Sequence, residues 1–364
     1  MAVVSTVAAT AIPGQAASGH SAPKVSPTAV VVANDLHNPR SLRVQADGSL
    51  LVGEAGSSSA SCTPPAEAGR NRCLGFTGSL YRVEGSSKRR VVTGLPSEQI
   101  NQNYGTSVLT RMAGVVQGEY AGNGSYRVSY GLSGVPADRA ALGAGSGPLG
   151  TLSTSKGKVL GDLAQHELAH NPDAGNPGVT EVFSNPWAFA KDGADFLVTD
   201  AGANDLIRVH PDGTTETVFA FPTNTRTSDN TPQQAVPTGV VRGRDGAFYI
   251  ADMGGMNLGL SRIWRYVPGS APTVFLTGLT DVIDLAVAPN GDLIALSIGS
   301  GPSDNWGPGT LTRINPRTRE ATRIPTQTEL TEPTGLAVTA KGDIYVTNNT
   351  QSDSAGELLK FPAV

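Results

Sequence analysis

The sequence predicts an all-β chain: a six-bladed β-propeller with four-stranded blades, the last blade closed by the N-terminal strand. Three observations predict it. First, a short apolar strand, a tight turn and a second strand recur at Asp47-Gly48, Asn123-Gly124, Asp192-Gly193, Asp245-Gly246 and Asn290-Gly291, with a variant at Lys341-Gly342. A polar turn residue followed by Gly, between alternating apolar runs, is the strongest local hairpin signal, because both central positions of a type I′ turn want positive φ. Second, a further strand pair follows each hairpin. Third, the last repeat lacks its outer strand, and a matching strand stands at the front of the chain.

Taken in chain order, the second pairs read GSLYRVEGSSKRRVVTGL from Gly78, GTLSTSKGKVLGDLA from Gly150, NDLIRVHPDGTTETVFAF from Asn204, SRIWRYVPGSAPTVFLTGL from Ser261 and GTLTRINPRTREATRI from Gly309. Each alternates apolar residues, turns on Gly, Pro, Asp or Ser, and returns through β-branched residues. The sixth repeat, from Glu332, stops after GELLKFPAV. AVVVANDL from Ala29 has the outer-strand pattern of RRVVTGL, so it is expected to pair with the last blade and cover an edge that would otherwise invite aggregation. Radial repetition of one sheet unit then accounts for residues 29–364 as a single domain.

Residues 1–28 stand apart. The stretch from Met1 to Gly19 is small and apolar and leads into a Ser/Pro/Ala-rich segment. It reads as the end of a secretory signal peptide with cleavage after Ala16, or as a flexible tail, so the expected location is extracellular. Cys62 and Cys73, with ten residues between them in a Gly/Ser/Pro-rich stretch, are then expected to form a disulfide rather than remain free thiols. The net charge is −4 and there is no block of Lys or Arg, which argues against nucleic acid. No apolar run reaches the length of a membrane span, and a monomer is expected.

The long connections fall between the second and third strands of a blade or between blades, which places them on one face of the disc. These are residues 55–77, 96–112, 131–149, 165–183, 222–234 and 299–308. Long loops on a rigid scaffold carry function, so the binding site is expected on this face. Two columns of residues meet there. The second strands end on Glu54, Tyr130, Asp200, Asp252, Ser297 and Asn348. The first strands open on Asn38, Asn185, Val236, Asp281 and Glu332, with the second blade unassigned. The columns place Asn38, Glu54, Asn185, Asp200, Asp252 and Asn348 near the central channel. Glu54, Asn185, Asp200 and Asp252 are of the types that ligate a hard cation such as Ca²⁺. The same residues at strand ends also cap turns. Trp306, in the loop GSGPSDNWGPG, is the candidate stacking aromatic, whereas Phe76, Trp187 and Trp264 read as core.

His166-Glu167-Leu168-Ala169-His170 matches the zinc-protease pattern HExxH. Pro172 ends any helix immediately, and the extended metzincin pattern fails at Asp173 and Asn176. The segment is expected to be a short surface helix over the channel mouth, not a zinc site.

The runs GSLYRVEG, HNPDAGNPG, SNPWAF, DAGANDLIRVHPDGT (Asp200 to Thr214) and PTGVVRGRDGAFYIAD resemble the ScyD/ScyE family of secreted bacterial proteins. The resemblance covers nearly the whole chain from about Ala33. It implies an exported propeller related to NHL-repeat proteins, and no established activity or catalytic residue. The strand pattern is more distantly similar to gluconolactonase and strictosidine-synthase propellers, the former of which hold a divalent metal in the channel. The expected function is therefore a binding or scaffold protein with a small-molecule or protein ligand on the long-loop face. The alternative is a Ca²⁺-dependent lactonase or ester hydrolase, with Asp200 or Asp252 as base.

Overall fold

A computed structural model describes residues 28–59, 61–226, 228–301 and 307–363. The expected leader and Trp306 lie outside the described residues. The strands form six large antiparallel sheets, five of four strands and one of five, together with a two-stranded ribbon at residues 224–226 and 231–233. The first strands of the six sheets are Pro39–Val44, Val115–Gly122, Pro186–Asp192, Pro237–Arg242, Val282–Val287 and Leu336–Val338. Each packs against the next, and the last packs against the first, so the sheets close a ring. This is the propeller the sequence predicts, and the closing strand is as expected: Val30–Leu36 pairs with Gly356–Phe361 as the outer strand of the sixth blade.

The hairpin turns keep their glycines but not all the expected turn type. Only Asn123-Gly124 has both residues at positive φ (52° and 66°). At Asp47-Gly48, Asp245-Gly246, Asn290-Gly291 and Lys341-Gly342 the glycine alone is left-handed. At Asp47, Asp245 and Asn290 the side chain accepts a hydrogen bond from the backbone N–H two residues on. These are type I turns followed by a left-handed glycine bulge, so the polar residue is chosen for its cap and the glycine for its φ.

The first blade departs from expectation. Residues 69–78 and 96–112 are not loops. Gly69–Glu84 and Ser87–Asn103 continue as a long ribbon, and Val108–Ala113 adds a fifth strand. No hydrophobic alternation announced this arm, because polar groups fill it. Glu98 and Asn101 are fully buried, Arg72 Nε donates to Glu98, and the Asn101 amide donates to Cys62 O at 3.0 Å. Cys62 and Cys73 form a disulfide with Cα atoms 5.9 Å apart, which pins Cys62 to the ribbon. The closed loop is short, so the bond stabilises by roughly 2–3 kcal/mol in the chain-entropy picture. No helix among the described residues is long and apolar enough to cross a membrane.

Each blade buries its own aliphatic face against the next. Leu51, Leu80, Val115 and Val128 join blades one and two, and Phe221, Phe248, Ile250 and Trp264 join blades three and four. Trp264 is core, as expected. Phe76 is not: it is half exposed on the ribbon and leans on Gly145.

Candidate functional site

The strand-opening column has a conformational cause. Asn38, Val236, Asp281 and Glu332 all sit at positive φ (45°, 62°, 47° and 44°) just before the innermost strand. In blade two the position is Gly114, at φ 138°. Four of these residues have carbonyls that accept a backbone N–H from the residue after the strand-end column: Ala55 to Asn38, Gly131 to Gly114, Met253 to Val236 and Ile298 to Asp281. The same bond joins Ala201 to Asn185. Asn and Asp tolerate the left-handed region, and that explains most of their recurrence here; Val236 is β-branched and is strained there.

The strand-end column has a latching role. Glu54 Oε1 accepts from His37 N at 2.8 Å, Asp200 Oδ1 from Asn185 N at 2.6 Å, and Asn348 Oδ1 from Thr331 N at 2.7 Å. Each ties the incoming inter-blade connection to the end of the second strand. The remaining lone pairs are also used. Arg90 grips both oxygens of Glu54 at 2.8 Å, while Arg262 Nε and Trp264 Nε1 both donate to Asp252 Oδ2 at 2.8 Å. Burial pushes Asp252 up to about 6, against the pull of Arg262. Asp200 also takes Ser184 Oγ and the N–H groups of Gly202 and Ala203. The four expected cation ligands are therefore not brought together. Glu54, Asp200 and Asp252 turn into their blades, and only Asn185 reaches the channel. A cation there would compete with a guanidinium already bound to two of the four, so the set does not fit a channel Ca²⁺.

Asp281 stands out among the column residues. It is fully buried, neither carboxylate oxygen has a partner, and burial alone raises it to about 7. A raised folded-state value means stability is fully present below the unfolded value near 3.8 and is lost as pH rises through 7. Asp281→Asn keeps the left-handed backbone and removes the charge. It is expected to be more stable than the parent by roughly 2–4 kcal/mol at pH 8 and equal to it near pH 4. Urea unfolding of both proteins at the two pH values checks this, and equal stability at pH 8 would refute it.

The channel mouth on the long-loop face is a cavity of about 300 Å³. All six blades reach it. Its wall is largely apolar: Ile100, Met112, Phe183, Trp187, Val236, Met253, Met256, Ile283 and Ile298. Polar groups are few and include Asn38, Arg40, Arg111, Asn185 and Gln351. Asn38 is spent on Gly56 O and Asp353. Arg40 is the unusual one. Its guanidinium donates from Nη1 to Thr350 O at 2.6 Å and from Nη2 to Met112 O at 2.8 Å, both neutral carbonyls. Burial and the nearby Arg111 lower it to about 10 against the pull of Glu332, so it keeps its charge at neutral pH. The sequence reading missed this residue, since a lone Arg two positions into a strand carries no pattern. Trp187 packs against the core as expected, and its half-buried side chain also lines the cavity.

Two short α-helices occur among the described residues, α1 (Pro136–Ala141) and α2 (Leu163–His170). Helix α2 forms where expected and stops at Asn171, which is left-handed at φ 39° just before Pro172. It does not cover the mouth; it packs on the outer strand Thr215–Ala220 of blade three. Both nitrogens of His166 are taken, Nδ1 by Thr215 Oγ1 at 2.9 Å and Nε2 by Thr217 Oγ1 at 2.7 Å. The HELAH motif therefore acts as a packing device for the helix, and its first His has no nitrogen free for zinc.

No family model matches the chain, and no curated protein matches it. Solved structures do. A calcium-binding regucalcin from Agrobacterium tumefaciens superposes with a TM-score of 0.51 at 12% identity, over 93% of this chain and 96% of that one. A luciferin-regenerating enzyme gives 0.48 at 10% identity, over 93% and 96%. A catalytically inactive virginiamycin B lyase from Staphylococcus aureus gives 0.46 at 13%, over 93% and 99%. Identity this low speaks for the fold alone: the chain is a β-propeller.

Proposed function

We propose that this protein is an exported binding propeller of the ScyD/ScyE type, acting as a monomer, whose ligand enters the channel mouth on the long-loop face. The single observation that carries the reading is Arg40: a charged guanidinium, hydrogen-bonded only to two neutral carbonyls, on the wall of a largely apolar cavity. Arg40 is half-buried and no carboxylate hydrogen-bonds to it, Glu332 acting on it only at longer range, so an incoming anionic group would compensate its charge directly. The ligand class is therefore a small molecule with an aromatic or aliphatic body and one anionic or strongly accepting group. A volume of about 300 Å³ lies at the small end of ligand pockets, which suits a single-ring or two-ring compound. Trp187 and the methionines Met112, Met253 and Met256 supply an adaptable apolar surface. The disulfide is consistent with export. The lactonase alternative gains nothing from this geometry, because Asp200 and Asp252 are occupied in latching and ion pairing.

Titration with 8-anilinonaphthalene-1-sulfonate, an apolar aromatic body bearing a sulfonate, tests the reading through Trp187 fluorescence. Saturable quenching is expected. Arg40→Gln should weaken it by about tenfold or more, the scale of one charge-assisted hydrogen bond, and Trp187→Phe should remove most of the signal. Affinity unchanged in Arg40→Gln, in a protein that still unfolds cooperatively, would overturn it.

A further inference from the structure

The turn between the third and fourth strands follows one rule in four blades and breaks it in the fifth. In blades one to four its left-handed position is glycine: Gly85, Gly157, Gly213 and Gly269, at φ 57°, 86°, 92° and 86°. In blade five it is Arg319, at φ 61°. A long side chain in this region is strained, and such strain persists where the side chain has a use. That use is not in the core. Arg319 is exposed, and its guanidinium lies over the ring of Phe275 in blade four, 5.4 Å from the centroid.

This stack places Arg319 in a cavity of about 600 Å³ between blades four and five. The cavity is on the short-turn face, opposite the channel mouth. The turns that carry Arg244, Asn290 and Arg317 wall it. The buried rings of Tyr249 and Phe275, with centroids 5.0 Å apart, form its floor.

Four arginines and two acids line this cavity, and the acids are already engaged. Asp245 accepts from Arg265 at 2.7 Å, and Asp292 accepts from Asn290 at 2.7 Å and lies 3.5 Å from Arg313. The guanidinium groups of Arg244, Arg317 and Arg319 have no hydrogen bond or carboxylate partner among the described residues. The Arg244 stem lies against Gly291, its Cδ 3.4 Å from where a side chain there would begin. The chain carries a net charge of −4, so this cluster of positive charge runs against the balance of the molecule.

We propose that this cavity binds a doubly charged oxyanion, a phosphate or sulfate ester on a small body, held by Arg244, Arg317 and Arg319. Guanidinium forks match the oxygens of such groups, and Tyr249 and Phe275 offer the rest of the ligand an apolar floor. The site is separate from the channel mouth and needs neither Arg40 nor Trp187.

Titration of the parent protein with inorganic pyrophosphate and with sodium sulfate, by calorimetry at matched ionic strength, tests this. One saturable heat is expected, and it should weaken as sodium chloride is added, because the arginines are exposed. The double variant Arg244→Gln, Arg317→Gln should bind about tenfold more weakly or worse. Arg319→Gly should also bind more weakly, yet melt no lower than the parent, since glycine is unstrained in the left-handed region. Arg323→Gln, at an exposed position on the fourth strand of the same blade and outside the cavity, should leave binding unchanged. A heat with pyrophosphate alone assigns a phosphate ester, and a heat with sulfate alone a sulfate ester. No saturable heat with either anion, or binding that Arg323→Gln weakens as much as Arg319→Gly does, would overturn the site.

Discussion

Asp284→Ala is expected to destabilise the fold by about 3–5 kcal/mol, the cost of stranding one member of a buried ion pair. Asp284 is on the innermost strand of blade five. Its Oδ2 accepts from Arg43 Nη1 of blade one at 2.9 Å and from Leu336 N of blade six at 3.0 Å, and its Oδ1 accepts from Arg43 Nη2 at 3.2 Å and Leu285 N at 2.9 Å. One carboxylate therefore joins three blades across the place where the ring closes. Its side chain is 1% exposed and that of Arg43 17%, so water cannot compensate the loss of either. The alanine would leave the Arg43 guanidinium with the Leu42 carbonyl but no counter-charge, and the Leu336 N–H without its acceptor. Burial raises Asp284, and the Arg43 guanidinium beside it pulls it back down. Urea unfolding of Asp284→Ala, Arg43→Met and the double variant measures this. The double variant is expected to lose less than the two singles combined, because no uncompensated charge remains. Strict additivity would mean that the pair does not couple the blades.

The same pair shows where sequence reading stops. The hairpins were legible because a left-handed glycine beside a capping side chain is a local requirement, repeated once per blade. The closure by Val30–Leu36 was legible because an unfinished repeat at one end matched a surplus strand at the other. Long-range polar matches carry no such local mark. Arg43 and Asp284 are far apart in the chain, and nothing in their neighbours announces a partner. The ribbon of blade one was invisible for the same reason, since Arg72, Glu98 and Asn101 replace the apolar alternation that identifies strands. The candidate site was half legible. The face was assigned from its long loops, and the channel mouth lies on it. The Asp and Asn columns were real repeats, but their cause is backbone geometry at Asn38 and Asp281 and latching at Glu54 and Asp200. Arg40 and Trp187, which face the cavity, belong to no repeat.

Removing residues 1–36 is expected to abolish cooperative folding, and Leu36→Ala alone to cost about 2–5 kcal/mol. Leu36 is fully buried and Ala33 nearly so, in a cluster with Leu42, Val52, Ala337 and Leu358 that spans blades six and one. Val30 and Val31 stay largely exposed, so the strand contributes through its inner face and its ladder. The ladder runs from Val30 opposite Lys360 to Leu36 opposite Gly356. The chain then turns into blade one, where Asp35 O accepts from Arg90 and His37 N donates to Glu54. The segment therefore closes blade six and holds it to blade one at once. Without it, Gly356–Phe361 becomes an open edge with unpaired N–H and C=O groups, a template for association between chains. The truncated protein should elute as soluble aggregate in size-exclusion chromatography. A synthetic peptide of residues 28–38, added during refolding, should restore some monomer with the parent's unfolding profile. Val30→Ser, at an exposed position of the same strand, should change stability by less than about 0.5 kcal/mol. A truncated protein that stayed monomeric and unfolded cooperatively would mean that the ring closes without this strand. Its stability would then reside in the packing of the six inner strands.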